Sequence, residues 1–528
     1  MSASPLSTQA KLAADTLSPR SVAVIDIGAT SIRMAIAEIH PNGEVRTLDN
    51  LVQPVDLGRE AFENRRLSRK SIEKSASILQ RYQRVLQEYG INSPADIRVV
   101  ATTAVREATN RLAFADRVFV ATGFNVEPID EAEVNRITYM GVIPQLQQHP
   151  QLADGKSLVL EVGGGNTEVL LLRGGNVLSS QSFRLGSLRL LMNLDGVRAS
   201  ASRRRAMMES HIRRILVQVS EKIDGDTPVN IVALGGDIRF AADRLLQWDR
   251  ESLAEISTKD LVALTEEVLT QDEDGIVRDY GTSFIEAETL APALLAYTMF
   301  VQHFHQSHLF VSDTNLRDGL LHDMAGGRSW TAEFRNQIVR SAISLGRKYD
   351  FDETHARNVA QLASKLFEQL KQDHQLDSRH EVILFAAALL HEIGMSVNVR
   401  SNHKHALYLI RHSELFGLSR SELLHVGLVA RYHRRAAPQP SHEGYGNLPQ
   451  EERVMVAKLA AMLRLAIALD DTRSGRIREI QCVHEAKQLV IHVPGVDDVS
   501  LEQISMRQNA GLFRDVFGLP VLLRAGRP

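Results

Sequence analysis

Short apolar runs and longer amphipathic segments alternate along roughly the first 325 residues of the chain. Apolar, β-branched runs predict strands, at 22–27, 33–39, 97–101, 158–162, 168–172 and 230–234. Apolar positions that recur every three or four residues predict helices, at 69–89, 131–147, 200–222 and 286–306. The alternation of these two patterns is typical of α/β domains.

The hydrophobic pattern changes after residue 328. Residues 335–475 show helical periodicity with few strand signals, and they are rich in histidine. From about residue 476, alternating apolar positions predict a small β-containing cap. We therefore expect a flexible tail, two α/β subdomains, a helical domain and a C-terminal cap, at 1–19, 20–140, 141–328, 329–475 and 476–528 respectively.

The composition of the 528-residue chain narrows the classes of function. Hydrophobic residues make up 44% and charged residues 24%, an ordinary globular mixture. A net charge of −3 gives no overall field that would attract nucleic acid or a membrane surface. The single cysteine, Cys482, excludes an internal disulfide framework and a cysteine-based metal site. No signal-like segment precedes residue 20, and the longest apolar run, 382–390, is too short to span a bilayer. We expect a cytoplasmic protein that binds neither nucleic acid nor membrane.

Two strand-turn-strand segments resemble each other. They read VAVIDIGATSIRMAIAEI, around Asp26, and LVLEVGGGNTEVLLLRGG, around Glu161. Each has an apolar strand, an acid, a glycine-containing turn with serine or threonine, and a second apolar strand. The repeat, spaced by about 135 residues, predicts two similar subdomains that face each other.

The residue types in these turns suit a bound phosphate. Backbone N–H groups of glycine turns can converge on phosphate oxygens, and we assign this role to two groups of residues, Gly28, Thr30 and Ser31, and Gly163, Gly164, Gly165, Asn166 and Thr167. An acid beside a phosphate is repulsive unless a divalent cation lies between them, so we expect Asp26 and Glu161 to hold Mg²⁺. The alternative is two ordinary hairpins whose polar side chains only satisfy turn hydrogen bonds.

The paired turns resemble the Ppx/GppA family of exopolyphosphatases and guanosine pentaphosphate phosphohydrolases, whose usual forms are close to DIGSNSFRL and DIGGGSTEL. Further segments resemble the family in the same order: VVATTAVREATN, IDEAEVNRITYMGV, FRLGSLRL, VALGGD, NLRDGLL and LLHEIGMSVN. The likeness covers the chain from about 20 to 515.

The resemblance implies two RNase H-like subdomains of the sugar-kinase/actin superfamily, followed by a helical HD-type domain. It implies an exopolyphosphatase that uses Mg²⁺ or Mn²⁺ and water to release the terminal phosphate of inorganic polyphosphate. The alternatives are hydrolysis of guanosine pentaphosphate, a low-activity sensor that binds either compound, or hydrolysis in the HD-type domain. A kinase, which only the superfamily suggests, is the weakest hypothesis. The family also implies a homodimer.

The resemblance also places two reacting residues. Glu133 falls where the family carries its water-activating glutamate, and Arg106 falls on its phosphate-contacting arginine. Each has a plain alternative: Asp130 and Glu133 could form a helix capping box, and Arg106 could be a surface residue at a helix terminus.

The chain departs from the family pattern at four site positions. Thr30 replaces an asparagine, Glu161 an aspartate, Val134 a glutamate, and Asp237 the third residue of a GGT-like turn. These departures leave open the rate and the choice of substrate.

HD domains bind divalent metals through a histidine, a His-Asp pair and a distant aspartate. In this chain His355, His391 with Glu392, and Asp470 or Asp471 occur in that order, so the resemblance makes them candidate metal ligands. The alternative is a set of buried histidines that hydrogen-bond to protein groups.

Overall fold

The structure, a computed structural model, describes residues 19–194, 200–223, 229–326, 332–434, 436–485 and 487–526. The tail predicted at 1–19 lies outside the described residues except for its last position. The chain divides into two compact units, Met1–Arg328 and Ser329–Pro528.

The first sheet of unit 1 has five strands in the order β3-β2-β1-β4-β5. Strand β1 pairs antiparallel with β2 and parallel with β4. The bounds are β1 Arg20–Ile27, β2 Ser31–Ile39, β3 Val45–Pro54, β4 Ile97–Ala101 and β5 Val126–Pro128. Three antiparallel strands followed by two parallel ones form the RNase H-like arrangement that the resemblance implied.

The second sheet repeats this arrangement and adds an edge strand. Its order is β10-β11-β9-β6-β7-β8, with β6 antiparallel to β7 and parallel to β9. The bounds are β6 Lys156–Val162, β7 Thr167–Arg173, β8 Asn176–Phe183, β9 Val229–Leu234, β10 Ala254–Ser257 and β11 His308–Val311. The second subdomain therefore has the same topology as the first.

Helices cover the sheets of unit 1. They are α1 Leu57–Asn64, α2 Arg69–Glu88, α3 Thr103–Glu107, α4 Arg111–Thr122, α5 Glu131–Gln148, α6 Ser187–Met192, α7 Ala201–Ser220, α8 Gly236–Leu245, α9 Thr258–Leu269, α10 Glu273–Tyr280, α11 Phe284–His303 and α12 Leu316–Ala325. Helix α11 is long and apolar enough to cross a membrane, but 67% of its most apolar window is buried inside the protein. Its residues form much of the core beside the second sheet.

Strands β1, β2 and β4 of the first sheet are buried on both faces over most of their length, which explains why they read as continuous apolar runs. Ala23 and Ile25 of β1 point into one hydrophobic cluster, whereas Val22 and Val24 point into another. Residues of α12, including Leu320 and Leu321, complete the second cluster. The last helix of unit 1 therefore packs on the first sheet.

Unit 2 is mainly helical and ends in a small sheet. Its helices are α13 Ala332–Lys348, α14 Glu353–Gln369, α15 Lys371–His374, α16 Ser378–Leu390, α17 Asn402–Arg411, α18 Arg420–Arg431, α19 Gln450–Leu469, α20 Ser500–Asn509 and α21 Gly511–Phe517. Strands β12 Gln481–Glu485 and β13 Gln488–Val493 form an antiparallel hairpin, and β14 Val521–Ala525 joins β13 in parallel. Helices α16 and α19 are buried beyond their first turns over most of their length, as expected from their apolar sequences.

Candidate active site

The two glycine turns have the same local geometry. In the turn between β1 and β2 the N–H of Gly28 donates to the carbonyl of Ser31 at 3.0 Å. In the turn between β6 and β7 the N–H of Gly163 donates to the carbonyl of Asn166 at 2.9 Å. The sequence repeat therefore corresponds to a structural repeat.

These turns lie against each other inside unit 1. A Cβ placed on Gly164 would lie 3.4 Å from Cβ of Ala29 and 3.6 Å from Cγ2 of Thr30. A Cβ on Gly165 would lie only 2.6 Å from the ring of Phe62, so only glycine fits there without displacement of the ring. The backbones of both turns can therefore approach one ligand closely.

The turns form part of the wall of a cavity of about 300 Å³. The predicted residues that line it are Asp26, Gly28, Thr30, Ser31, Arg106, Glu161, Gly163, Gly164, Gly165 and Asn166. Thr167 is not among its lining residues: its side chain is buried, and its hydroxyl donates to the carbonyl of Leu185. The prediction that Thr167 donates to phosphate therefore does not fit the structure.

Three acids form what we call the acid cluster: Asp26, Glu161 and Glu168. Glu161 on β6 and Glu168 on β7 are directly paired in the sheet, so their side chains share one face. Oδ1 of Asp26 and Oε2 of Glu168 are buried and have no hydrogen-bond partner among the described residues. Glu168 was not predicted, although its strand position opposite Glu161 follows from the register.

The pKa values of the acid cluster show that its negative charge is poorly compensated. Burial raises the pKa of all three carboxyls, and it raises that of Glu168 to about 8. The nearest arginine contact, Arg317 Nη1 to Asp26 Oδ2, is long at 3.9 Å. Buried carboxylate oxygens without partners are the ligands that Mg²⁺ or Mn²⁺ prefers, so the residues present fit such an ion.

Basic side chains also line the cavity, and the sequence did not single out three of them. Arg33 is paired with Asp26 across β1 and β2, while Arg239 and Arg317 come from α8 and α12. Arg106, which was predicted, also lines the cavity. Its guanidinium donates to the carbonyl of Ile129 at 2.8 Å and to Oε1 of Glu131 at 3.0 Å. These four guanidinium groups give the cavity the charge that a polyanionic ligand needs.

Glu133 does not line the cavity. Both of its carboxylate oxygens accept hydrogen bonds from Arg136, at 2.7 and 2.8 Å, and Arg98 lies 3.6 Å away. Burial would raise the pKa of this carboxyl, but the hydrogen bonds and charges of the two arginines outweigh burial and lower it. The geometry therefore departs from the predicted role of Glu133 as general base: its carboxylate is already bound in a buried ion-pair network.

The next residue, Val134, lines the cavity instead. Adjacent residues of an α-helix point about 100° apart, so only one of the pair can face the ligand. The expected cap is present in part, because Oδ1 of Asp130 accepts from the N–H of Glu133 at 2.9 Å. Asp237, the departure in the glycine turn before α8, also lines the cavity.

Unit 2 contains a second group of candidate ligands, which we call the histidine cluster: His355, His391 and Glu392. One potential ligand atom from each lies within 4.8 Å of those of the others. Nδ1 of His391 donates to the carbonyl of Ala388 at 2.7 Å, so its buried Nε2 carries the lone pair and has no partner among the described residues. Burial lowers the pKa of His391 to about 4, so the ring is neutral, as a metal ligand must be.

Asp470, unlike the exposed Asp471, is buried beside the histidine cluster. Its Oδ2 accepts from Nδ1 of His355 at 2.7 Å, and its Oδ1 accepts from the N–H of Gly475 at 3.0 Å. Asp470 therefore orients His355, and both of its oxygens already have partners. Glu392 accepts a hydrogen bond from Arg473 at 2.6 Å. In both histidines Nδ1 is engaged by a hydrogen bond, so the ligand atom most available to a metal is Nε2 of His391.

Comparison with known proteins identifies the family of both units. The model of the Ppx/GppA phosphatase family matches residues 35–327, and that of Ppx/GppA phosphatase domain III matches residues 339–508. A guanosine-5'-triphosphate,3'-diphosphate pyrophosphatase from Vibrio vulnificus is 24% identical over 485 residues, which are 89% of this chain and 91% of the relative. The protein of that name from Aliivibrio fischeri is 24% identical over 455 residues, 85% of this chain and 87% of the relative.

A solved structure supports the fold of unit 1. The crystal structure of an exopolyphosphatase from Cytophaga hutchinsonii aligns with a TM-score of 0.53 at 22% identity. The alignment covers 58% of this chain and 98% of that protein. At this identity the likeness concerns the fold alone.

Proposed function

The chain belongs to the Ppx/GppA phosphatase family and is a hydrolase acting on phosphoric anhydrides, and from that premise we propose that its substrate is guanosine pentaphosphate. The reaction would release the terminal phosphate of the 5'-triphosphate. The relatives named above carry this activity in their names and align with both units. They favour guanosine pentaphosphate as the substrate. The family resemblance alone had favoured inorganic polyphosphate.

The observation that carries the proposal is the acid cluster beside the paired glycine turns. We propose that Asp26, Glu161 and Glu168 hold Mg²⁺ or Mn²⁺, which would neutralise charge on the reacting phosphates when bound. The backbone N–H groups of both turns would bind phosphate oxygens, and Arg33, Arg106, Arg239 and Arg317 would hold the remaining charge. Such an arrangement acts by positioning and by stabilising negative charge, which is most of what phosphoryl transfer requires.

Phosphate release by the purified full-length chain tests the proposal. It should be measured with Mg²⁺ on guanosine pentaphosphate and on long-chain polyphosphate. We expect faster release per enzyme from guanosine pentaphosphate, and a loss of about 100-fold or more in Glu161→Gln, since 1 Å of misplacement in such sites already costs about 100-fold. Glu221→Gln, an exposed acid of the same unit, is the matched control. A clear preference for polyphosphate would reverse the choice of substrate.

The histidine cluster favours one second candidate, a phosphohydrolase centre in unit 2. The specific observation is Nε2 of the neutral His391 ring, which is buried beside His355 and Glu392 and has no hydrogen-bond partner in the described part of the chain. We propose a transition metal for this cluster, because imidazole ligands suit Zn²⁺, Mn²⁺ or Fe²⁺. If hydrolysis occurs there, His391→Ala should abolish phosphate release and Glu161→Gln should not. The main proposal requires the opposite result, so the two variants separate the candidates.

A further inference from the structure

The cavity of unit 1 lacks a carboxylate on helix α5, where the resemblance places the water-activating glutamate. Val134 occupies the position that faces the cavity, and the carboxylate of Glu133 is bound by Arg136. Hydrolysis of a phosphoanhydride still requires a group that orients the attacking water and accepts its proton. If the proposed function is correct, that group must come from another wall of the cavity.

Five carboxylates of the described residues line the cavity; three are assigned to the proposed metal, and a fourth caps a helix. They are Asp26, Glu161, Glu168, Glu286 and Asp237. The first three form the acid cluster. Oε2 of Glu286 accepts from the N–H and the hydroxyl of Ser283, at 3.0 and 2.8 Å, in a helix capping box. Asp237 has no hydrogen bond or ion pair with any described residue, so its oxygens are available to a water.

We propose that Asp237 is the catalytic base of this chain and has taken the place of the acid that α5 lacks. The inference rests on the proposed hydrolase function and deepens it. In the reaction, the oxygen of water forms a bond to the terminal phosphorus while its proton passes to the carboxylate of Asp237. The bond from phosphorus to the bridging oxygen breaks, and that oxygen keeps the electron pair on the shortened product. The proton on Asp237 then returns to solvent or to the released phosphate.

The position of Asp237 is fixed beside the acid cluster. Asp237 lies in the first turn of α8, two residues after Gly235. The φ of Gly235 is +115°, a conformation that excludes most other residues. A Cβ on Gly235 would lie 3.8 Å from Cγ of Glu161 and 2.9 Å from the hydroxyl of Tyr297. That hydroxyl donates to the carbonyl of Leu234 and accepts from the N–H of Val162 at 2.9 Å. It therefore links the end of β9, which leads into the helix of Asp237, to the end of β6, which carries Glu161.

The charges around Asp237 suit a base that works near neutral pH. Burial raises its pKa to about 7, while Arg33 on β2 and Arg239 on α8 act to lower it. Glu286 on α11 acts in the opposite sense. A base with a pKa near the working pH is ionised and can still accept a proton effectively. Both arginines also line the cavity.

The decisive experiment compares four full-length variants with the wild type: Asp237→Asn, Asp237→Glu, Glu133→Gln and Asp243→Asn. We expect Asp237→Asn to lower kcat for guanosine pentaphosphate by about 100-fold or more, the usual contribution of a general base. Its substrate affinity, measured without turnover by calorimetry, should remain within a few-fold. The limb of the pH–rate profile on which activity rises with pH should disappear, and Asp237→Glu should recover part of the rate. Asp243 is an exposed acid on the same helix as Asp237 and is paired with Arg250, which lies beyond that helix. Asp243→Asn should match the wild type.

Three outcomes would overturn the inference. If Asp237→Asn kept a rate comparable to the wild type, Asp237 would not be the base. If Glu133→Gln lost the rate while Asp237→Asn did not, the base would lie on α5 after all. If the wild type released no phosphate from either substrate, the proposed function would fail and this inference with it. Thermal unfolding of each variant identifies a rate loss that comes from misfolding.

Discussion

The acid cluster of unit 1 and the histidine cluster of unit 2 both bring buried ligand atoms together. They differ in how many of those atoms already have a hydrogen-bond or ion-pair partner. In the acid cluster, one oxygen each of Asp26 and Glu168 has no hydrogen-bond partner among the described residues, whose nearest guanidinium contact is 3.9 Å long. In the histidine cluster, Asp470 already binds His355, and Arg473 already binds Glu392. Among the described residues, the first cluster has no close compensating cation, whereas Arg473 compensates the carboxylate of Glu392 in the second.

The two clusters also differ in the kind of cation they would accept. The acid cluster offers only oxygen ligands, which suit Mg²⁺ and Mn²⁺. The histidine cluster offers imidazole nitrogens, which favour transition metals. A cluster that is short of charge compensation depends strongly on its ion. A cluster with an internal ion pair binds a metal only if the metal displaces its arginine.

The largest expected effect is the loss of hydrolysis on removal of the cation from unit 1. Chelation should lower phosphate release by about 100-fold or more, because charge on the reacting phosphates would no longer be neutralised. Addition of Mg²⁺ or Mn²⁺ should restore release, whereas Zn²⁺ alone should not. Activity that survives exhaustive chelation would show that the acid cluster works without an ion.

The next effect concerns stability and pH. The pKa values of Asp26, Glu161 and Glu168 are raised in the folded state, so the folded protein binds protons more tightly than the unfolded chain. The free energy of unfolding of the metal-free protein should therefore fall as the pH rises from the usual carboxyl range, near 4.5, through about 8. Urea unfolding across this range measures the slope. Mg²⁺ and Glu168→Gln should each flatten the slope, and Glu221→Gln should leave it unchanged. An equal slope in Glu168→Gln would contradict the assignment of the pH effect to this cluster.

The smallest effect concerns the internal ion pair of the histidine cluster. Arg473→Ala should release the carboxylate of Glu392 and tighten Co²⁺ binding by about tenfold, which corresponds to about 1.4 kcal/mol. Co²⁺ absorption reports directly on nitrogen ligation and needs no enzyme activity. Arg411→Ala, which breaks an exposed ion pair with Glu443, is the matched control. If the wild type and Arg473→Ala both fail to bind Co²⁺, the cluster is a purely structural set of buried histidines.

The sequence predicts the paired subdomains well because their strands are apolar on both faces. All six predicted strands and four predicted helices of unit 1 are present, with ends shifted by a few residues. Strands β3 and β8 were not predicted. Their burial patterns mix exposed and intermediate positions, so they lack the apolar runs that mark β1 and β6. They are held in the sheets by pairing with their neighbours rather than by their own burial.

The candidate site is predicted less completely. The sequence locates its residues along the chain but does not show in which direction their side chains point. The sequence places Glu133 and Val134 at the start of α5 but does not say which faces the ligand, since that depends on how the helix packs. Thr167 lies next to the turn that binds phosphate, yet its side chain points into the core. Glu168, three positions after the last glycine of the turn, was missed because only the strand register brings it opposite Glu161. Arg317 comes from a helix remote in sequence.

The return of helix α12 to the first sheet affects how the chain folds during synthesis. Strands β1 to β5 leave the ribosome first, but one face of their sheet is covered by residues 316–325, which appear about two hundred residues later. Until then the apolar face around Val22 and Val24 lacks the side chains of Leu316, Leu320 and Leu321, and such surfaces attract chaperones or aggregate. A fragment that ended near residue 140 would keep this defect permanently. The subdomain that is synthesised first is therefore the one that is completed last.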